Sequence, residues 1–235
     1  MLNFTLQPQR VSKLSRETER STMLGEAKLW PGLAAHISAS HEAITRLVSY
    51  ITDLNAVPVG ITSMPEKMAL SWQAAQQASK VLKAARKRIE QEAKDLAEEV
   101  TAEEAAYWRA NVPSLAVQLR VFDVAEKLVA TGNIVELRSM MMGDAGIAAT
   151  IATTNRVLIH PGLVPTVRDS LIRGVLRQDQ PAIVDKADKA SELLVLAKGY
   201  GEAIKIVDYG VSSATAAAAW ESRVQPPVMP EPVAA

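Results

Sequence analysis

Cysteine is missing altogether from these 235 residues, which excludes a disulfide framework, thiolate metal sites and a cysteine nucleophile. Aromatic residues make up only 4% of a chain that is 48% hydrophobic, much of it alanine. Its core must therefore form by close approach of small side chains more than by bulky ones. Charge of one sign is not in excess either: 26 basic residues face 26 acidic ones, so no overall field draws the chain to nucleic acid or to an anionic membrane. Long apolar runs are absent as well. The best stretch, residues 140–164, is interrupted by Asp144, Arg156 and His160, so no transmembrane segment is expected. Residues 1–20 lack the basic start and apolar centre of a signal peptide; export by that route is not expected, and the expected location is a virion or the cytoplasm.

Motifs that force a chemistry are also lacking. Of the three histidines, His36 and His41 are five apart and point in different directions on a helix, while His160 stands before Pro161-Gly162. No His-Glu-x-x-His, Glu-x-x-His or Asp-rich calcium spacing occurs, and no Gly-x-Ser-x-Gly elbow. Gly143 to Gly146 and Gly199-Tyr200-Gly201 lack the preceding strand and following residues of a phosphate cradle and read as helix stops. Paired carboxylates at Glu98-Glu99 and Glu103-Glu104 read as a solvated face without the desolvation that tunes a catalytic acid. The expectation is no catalytic residue, no metal site and no cofactor. An enzyme with a site assembled from some of His160, Arg168, Asp169 and Asp208 is the rival class.

What is present is helix. Residues 63–111 contain no Gly, and their only Pro, Pro65, falls in a first turn where its missing N–H is harmless. Ser63 with Glu66 forms a capping-box pattern. The rest is rich in Ala, Leu, Glu, Lys, Gln and Arg, so a rod of roughly 68 Å is predicted at 1.5 Å per residue. Met68, Ala75, Leu82, Ile89 and Leu96 recur every seven residues, and Trp72, Ala93, Val100 and Tyr107 form a second series broken by Ser79 and Arg86. Thr101 with Glu104 repeats the capping pattern and marks a place where the rod would break. Charge on this stretch is segregated. Lys80, Lys83, Arg86, Lys87 and Arg88 precede Glu90, Glu92, Asp95, Glu98, Glu99, Glu103 and Glu104, which suits either an antiparallel second copy or ordinary pairing within the helix.

Elsewhere, helices are predicted over residues 11–29, 33–54, 114–131, 134–142, 165–177, 181–198 and 202–223. Residues 145–154 read as either a short helix packed through Gly, Ala and Thr or an irregular segment. Residues 157–159 are a lone strand candidate, and Met140-Met141-Met142 reads as core filling with a second option of an adaptable contact. The fold class is thus all-α: a multi-helix protein with one long helix in a helical hairpin, a compact helical C-terminal half and a Pro-rich tail. The segments are residues 1–10 as an extended arm, 11–112 as the long hairpin region, 113–223 as the compact region and 224–235 as the tail, which holds four Pro.

Such a chain reads first as a non-enzymatic structural subunit of a homo-oligomer or of a larger complex, with a virus or phage particle as the concrete example. Candidate partner contacts are Phe4, Trp72, Leu82, Ile89, Leu96, Pro226, Pro227 and Met229. Lys80, Lys83 and Lys87 share a helix face and form a weak nucleic-acid patch. A nucleic-acid-associated adaptor or scaffold is therefore an alternative, not the favoured one.

Overall fold

The computed structural model describes residues 14, 16–153 and 163–211. Among them are eight α-helices and no strand, so the fold is all-α. The expected arm, the strand candidate at 157–159 and the Pro-rich tail lie outside the described residues. The chain divides into two compact units, Met1–Gln91 with Leu193–Ala235, and Glu92–Glu192.

In the first unit, α1 (Glu17–Leu24) is shorter than predicted. Gly25 ends it in a left-handed conformation at φ 72°, a backbone shape that glycine alone adopts without penalty. Its N–H donates to the Ser21 carbonyl at 2.9 Å. Two short 3-10 turns, Ala27–Leu29 and Pro31–Leu33, lead into α2 (Ala34–Ala56). The inward face of α2 is the predicted one, with Ile37, Ile44, Leu47, Ile51 and Leu54 buried, and Ser40 buried among them. The Ser40 hydroxyl donates to the His36 carbonyl at 2.7 Å, which lets it enter the core within its own helix.

The long helix, α3 (Met64–Asn111), runs unbroken for 48 residues. Thr101 does not interrupt it, because its hydroxyl donates to the Ala97 carbonyl at 2.8 Å. Ala75, Leu82 and Ile89 are fully buried as the seven-residue series predicts. In the second series Ala93 and Val100 are buried as read, whereas Trp72 is only half-buried and its neighbour Ser71 is buried, as are Ala78 and Ala85. Small side chains let a neighbouring backbone approach. Arg86 is left at the surface, its Nε donating to Glu90 at 2.8 Å. Ser79 is buried too, so the stripe is wider than expected.

The glycines at 199 and 201 are not helix stops. One helix, α8 (Pro181–Val211), runs through both; α4 to α7 belong to the second unit. A Cβ on Gly199 would lie 2.2 Å from the Met23 carbonyl oxygen, so glycine is what allows α1 and α8 to touch. Tyr200, between the glycines, is fully buried. Each helical glycine costs about 1 kcal/mol relative to alanine, and the packing it permits offsets this.

The second unit is built from shorter helices with well-formed ends. α4 (Leu115–Ala130) closes through Gly132 at φ 73°. The Asn133 N–H reaches the Leu128 carbonyl at 2.8 Å and the Gly132 N–H the Val129 carbonyl at 3.0 Å, the paired pattern of a glycine-terminated helix. Asn133 then opens α5 (Ile134–Gly143), its side chain accepting from the Glu136 N–H. Residues 145–153 settle as a helix, α6 (Ala145–Thr153). Asp144 caps it by accepting from the N–H groups of Gly146 at 2.7 Å and Ile147 at 3.3 Å. α7 (Pro165–Asp179) starts with proline, as predicted. The core gathers Trp108, Val121, Ala125, Val129, Leu137, Met141, Ala148, Ile151, Val175 and Leu176. Of the three consecutive methionines, Met141 fills this core.

Candidate functional site

The side chains marked for chemistry do not gather into one site. Arg168 donates from its guanidinium to the Ala152 carbonyl at 2.9 Å and the Ile151 carbonyl at 3.1 Å. A cation on the last carbonyls of α6 complements the negative end of that helix. Asp169 is exposed. Asp208 belongs to the other unit and pairs with Lys83 at 3.1 Å. His160 lies outside the described residues. Among the described residues, no group of three or more His, Asp or Glu is placed to hold a metal ion.

The carboxylates of α3 are engaged with their own chain. The Lys186 ammonium donates to Glu103 at 2.6 Å and to Glu99 at 2.7 Å. Those two hydrogen bonds hold its pKa above the ordinary lysine value. Burial pushes the Glu104 carboxyl up. Tyr107 donates to Asp179 at 2.6 Å. Burial first, and that bond second, push its pKa to about 12. Its ring meets that of Trp108 edge-on at 4.7 Å. With Glu99 and Glu103 held by Lys186, the acidic block is not presented intact to a second copy.

The contact candidates divide three ways. Leu82 and Ile89 are fully buried, their surface taken by the first unit's own core. Trp72 and Leu96 are half-buried on α3. Phe4, Pro226, Pro227 and Met229 lie outside the described residues. In the basic patch, Lys80, Lys83 and Lys87 are all exposed, and Asp208 neutralises Lys83.

The broad apolar face that the sequence places on residues 114–131, with Leu115, Leu119, Phe122, Val124, Leu128 and Val129, is only partly inward in α4. The helix turns Val121, Ala125 and Val129 inward, yet Leu115 is 69% exposed and Leu119 is 54% exposed. Val117 and Val124 are exposed on the other flank of the buried stripe. The sequence signal was there, as apolar residues too numerous for one inward face. A second feature is a groove of about 320 Å³ between α2 and α3. Leu47, Leu70, Ala74 and Val81 line it, and Arg46 and Tyr50 contribute polar groups. Among the described residues no helix is long and apolar enough to cross a membrane. No family model matches the chain, and neither a curated protein nor a solved structure matches it.

Proposed function

We propose that this chain is a non-enzymatic structural subunit of a larger assembly, in the virion or the cytoplasm, acting through helix–helix contacts. A component of a virus or phage particle is the concrete setting this reading takes. The observation that carries it is the outward apolar surface of α4. Leu115 and Leu119 stand one turn apart and face solvent beside a stripe that already packs the core. Apolar surface of this kind, contiguous along a helix, is what a partner helix covers. The partner is another copy of the chain or another subunit of the same assembly. Support also comes from the chemistry-bearing side chains, since Arg168, Glu99 and Glu103 are bound into the fold.

Sedimentation of the intact chain across a concentration series tests this reading. The expected result is self-association, or co-sedimentation with the other components of a natively purified particle. A chain that sediments at monomer mass throughout, and that no native component retains, would rule it out.

A further inference from the structure

Three guanidinium groups share one open cleft in the second unit, and the reading above makes no use of them. Arg138 of α5 and Arg173 and Arg177 of α7 line a space of about 370 Å³ together with Ser170 and Gln178. Arg173 and Arg177 are both held by one carboxylate, Asp188, with Arg177 at 3.5 Å. Arg138 makes no ion pair or hydrogen bond among the described residues. Three cations against one anion leave two positive charges facing the cleft. The walls are fixed, because the Gln178 amide donates to the Met142 carbonyl at 3.2 Å and so ties α7 to the end of α5. The floor is open at Gly174, where an added Cβ would meet nothing within 4 Å.

We propose that this cleft binds the phosphate group of a small phosphorylated ligand such as a nucleoside monophosphate. Two surplus positive charges match a phosphate dianion better than a single carboxylate, and the planar guanidinium fork pairs with phosphate oxygens through two parallel N–H donors. The Asp188 bridge holds two of the three forks in place before the ligand arrives, which lowers the ordering cost of binding. The Ser170 hydroxyl adds a neutral donor, and the half-buried Met142 offers a polarisable apolar surface to the rest of the ligand. The volume lies within the roughly 300–1,000 Å³ of small-molecule sites. A long polyanion fits less well. Glu92–Glu192 carries 11 Lys and Arg against 15 Asp and Glu, so a nucleic acid leaving the cleft would run over a net acidic unit.

The test is calorimetric titration of the intact chain at low ionic strength with inorganic phosphate, adenosine monophosphate, adenosine, acetate and a short single-stranded oligonucleotide. Phosphate and the monophosphate should bind in competition with one another, the monophosphate more tightly, while adenosine and acetate bind weakly or not at all. Arg138→Met, which removes no hydrogen bond or ion pair among the described residues, should weaken both by at least about tenfold, the scale of one lost charged hydrogen-bonding partner. Gly174→Leu should block the cleft with all three guanidiniums still present. No binding of phosphate or monophosphate at millimolar concentration, binding indifferent to both substitutions, or binding of the oligonucleotide alone would each overturn the proposal.

Discussion

The two units differ in how they treat the polar groups of a core with few aromatics. Glu92–Glu192 carries a net charge of −4, and the remainder carries 15 Lys and Arg against 11 Asp and Glu, a net of +4. The more telling difference lies in what each hides. The first unit buries polar groups, with Ser40, Lys67, Ser71, Ser79 and Tyr200 at 3% exposure or less. The Ser71 and Ser79 hydroxyls have no hydrogen-bond partner there. The Tyr200 hydroxyl lies beside Ser40, whose own proton goes to His36, and makes no well-formed bond. The second unit also buries a hydroxyl, Thr150, but satisfies it within its own helix, where it donates to the Gly146 carbonyl at 2.8 Å. Both units leave some apolar side chains outside, Ile61 and Val195 in the first and Leu115 and Leu119 on α4 in the second. Close helix approach through Ser, Ala and Gly tolerates a hydroxyl inside, because the small side chain matters more than its polarity.

Two glycines set the comparison in its sharpest form. Gly199→Ala places a methyl group against the Met23 backbone and should destabilise the chain by about 3 kcal/mol or more, read as a fall in denaturation midpoint. If the midpoint is unchanged, α1 and α8 do not meet as described. Next in size is the alkaline limb of the second unit. Tyr107 has its pKa raised from 10 to about 12 by burial and by the bond to Asp179, so the neutral form is the one the fold prefers. The resulting stability is complete below pH 10 and is lost as pH rises through 12. Tyr107→Phe should remove that limb and lower stability at neutral pH by about 1 kcal/mol, the usual net value of one hydrogen bond. Denaturant titrations of both forms between pH 7 and 12 would show it, and parallel curves would remove Tyr107 from the account.

Smaller effects separate the units further. Ser79→Ala takes an unpartnered hydroxyl out of the first core and should be neutral or stabilising by up to about 1 kcal/mol. A clear loss would mean that the hydroxyl has a partner. Gly174→Ala, with open space around the new methyl, should stabilise α7 by about 0.5–1 kcal/mol, opposite in sign to the change at Gly199. Thermal unfolding of the two alanine variants side by side tests that reversal.

Much of the architecture was legible because it rests on periodicity and punctuation. The apolar spacing of Ile37, Ile44, Leu47 and Ile51 located α2, and Pro165 and Gly132 marked where helices begin and end. The misread helix ends share one cause, which is that glycine has two uses. At 25 it ends a helix that the pattern continued, and at 199 it sits inside a helix that the pattern ended. Sequence alone does not distinguish a turn from a close approach. Near the start of α3 a separate misreading has another cause: hydrophobicity ranks Trp72 above Ser71, but the smaller Ser71 is the one buried. The arginine cleft was not legible, since Arg138 stands 35 positions before Arg173 and only the packing of α5 on α7 brings them together. The outward face of α4 was visible as a broad apolar face, but not which part of it the core would leave uncovered.

The central claim is that this uncovered face makes contacts between subunits, and light scattering on the double substitution Leu115→Lys with Leu119→Lys tests it most directly. Both positions are exposed, so helicity and stability should stay within about 0.5 kcal/mol of the parent. The account predicts a parent chain above monomer mass and a doubly substituted chain at monomer mass with an unchanged helical spectrum. An assembly of the same mass in both, or a parent that is already monomeric in every native preparation, would contradict it.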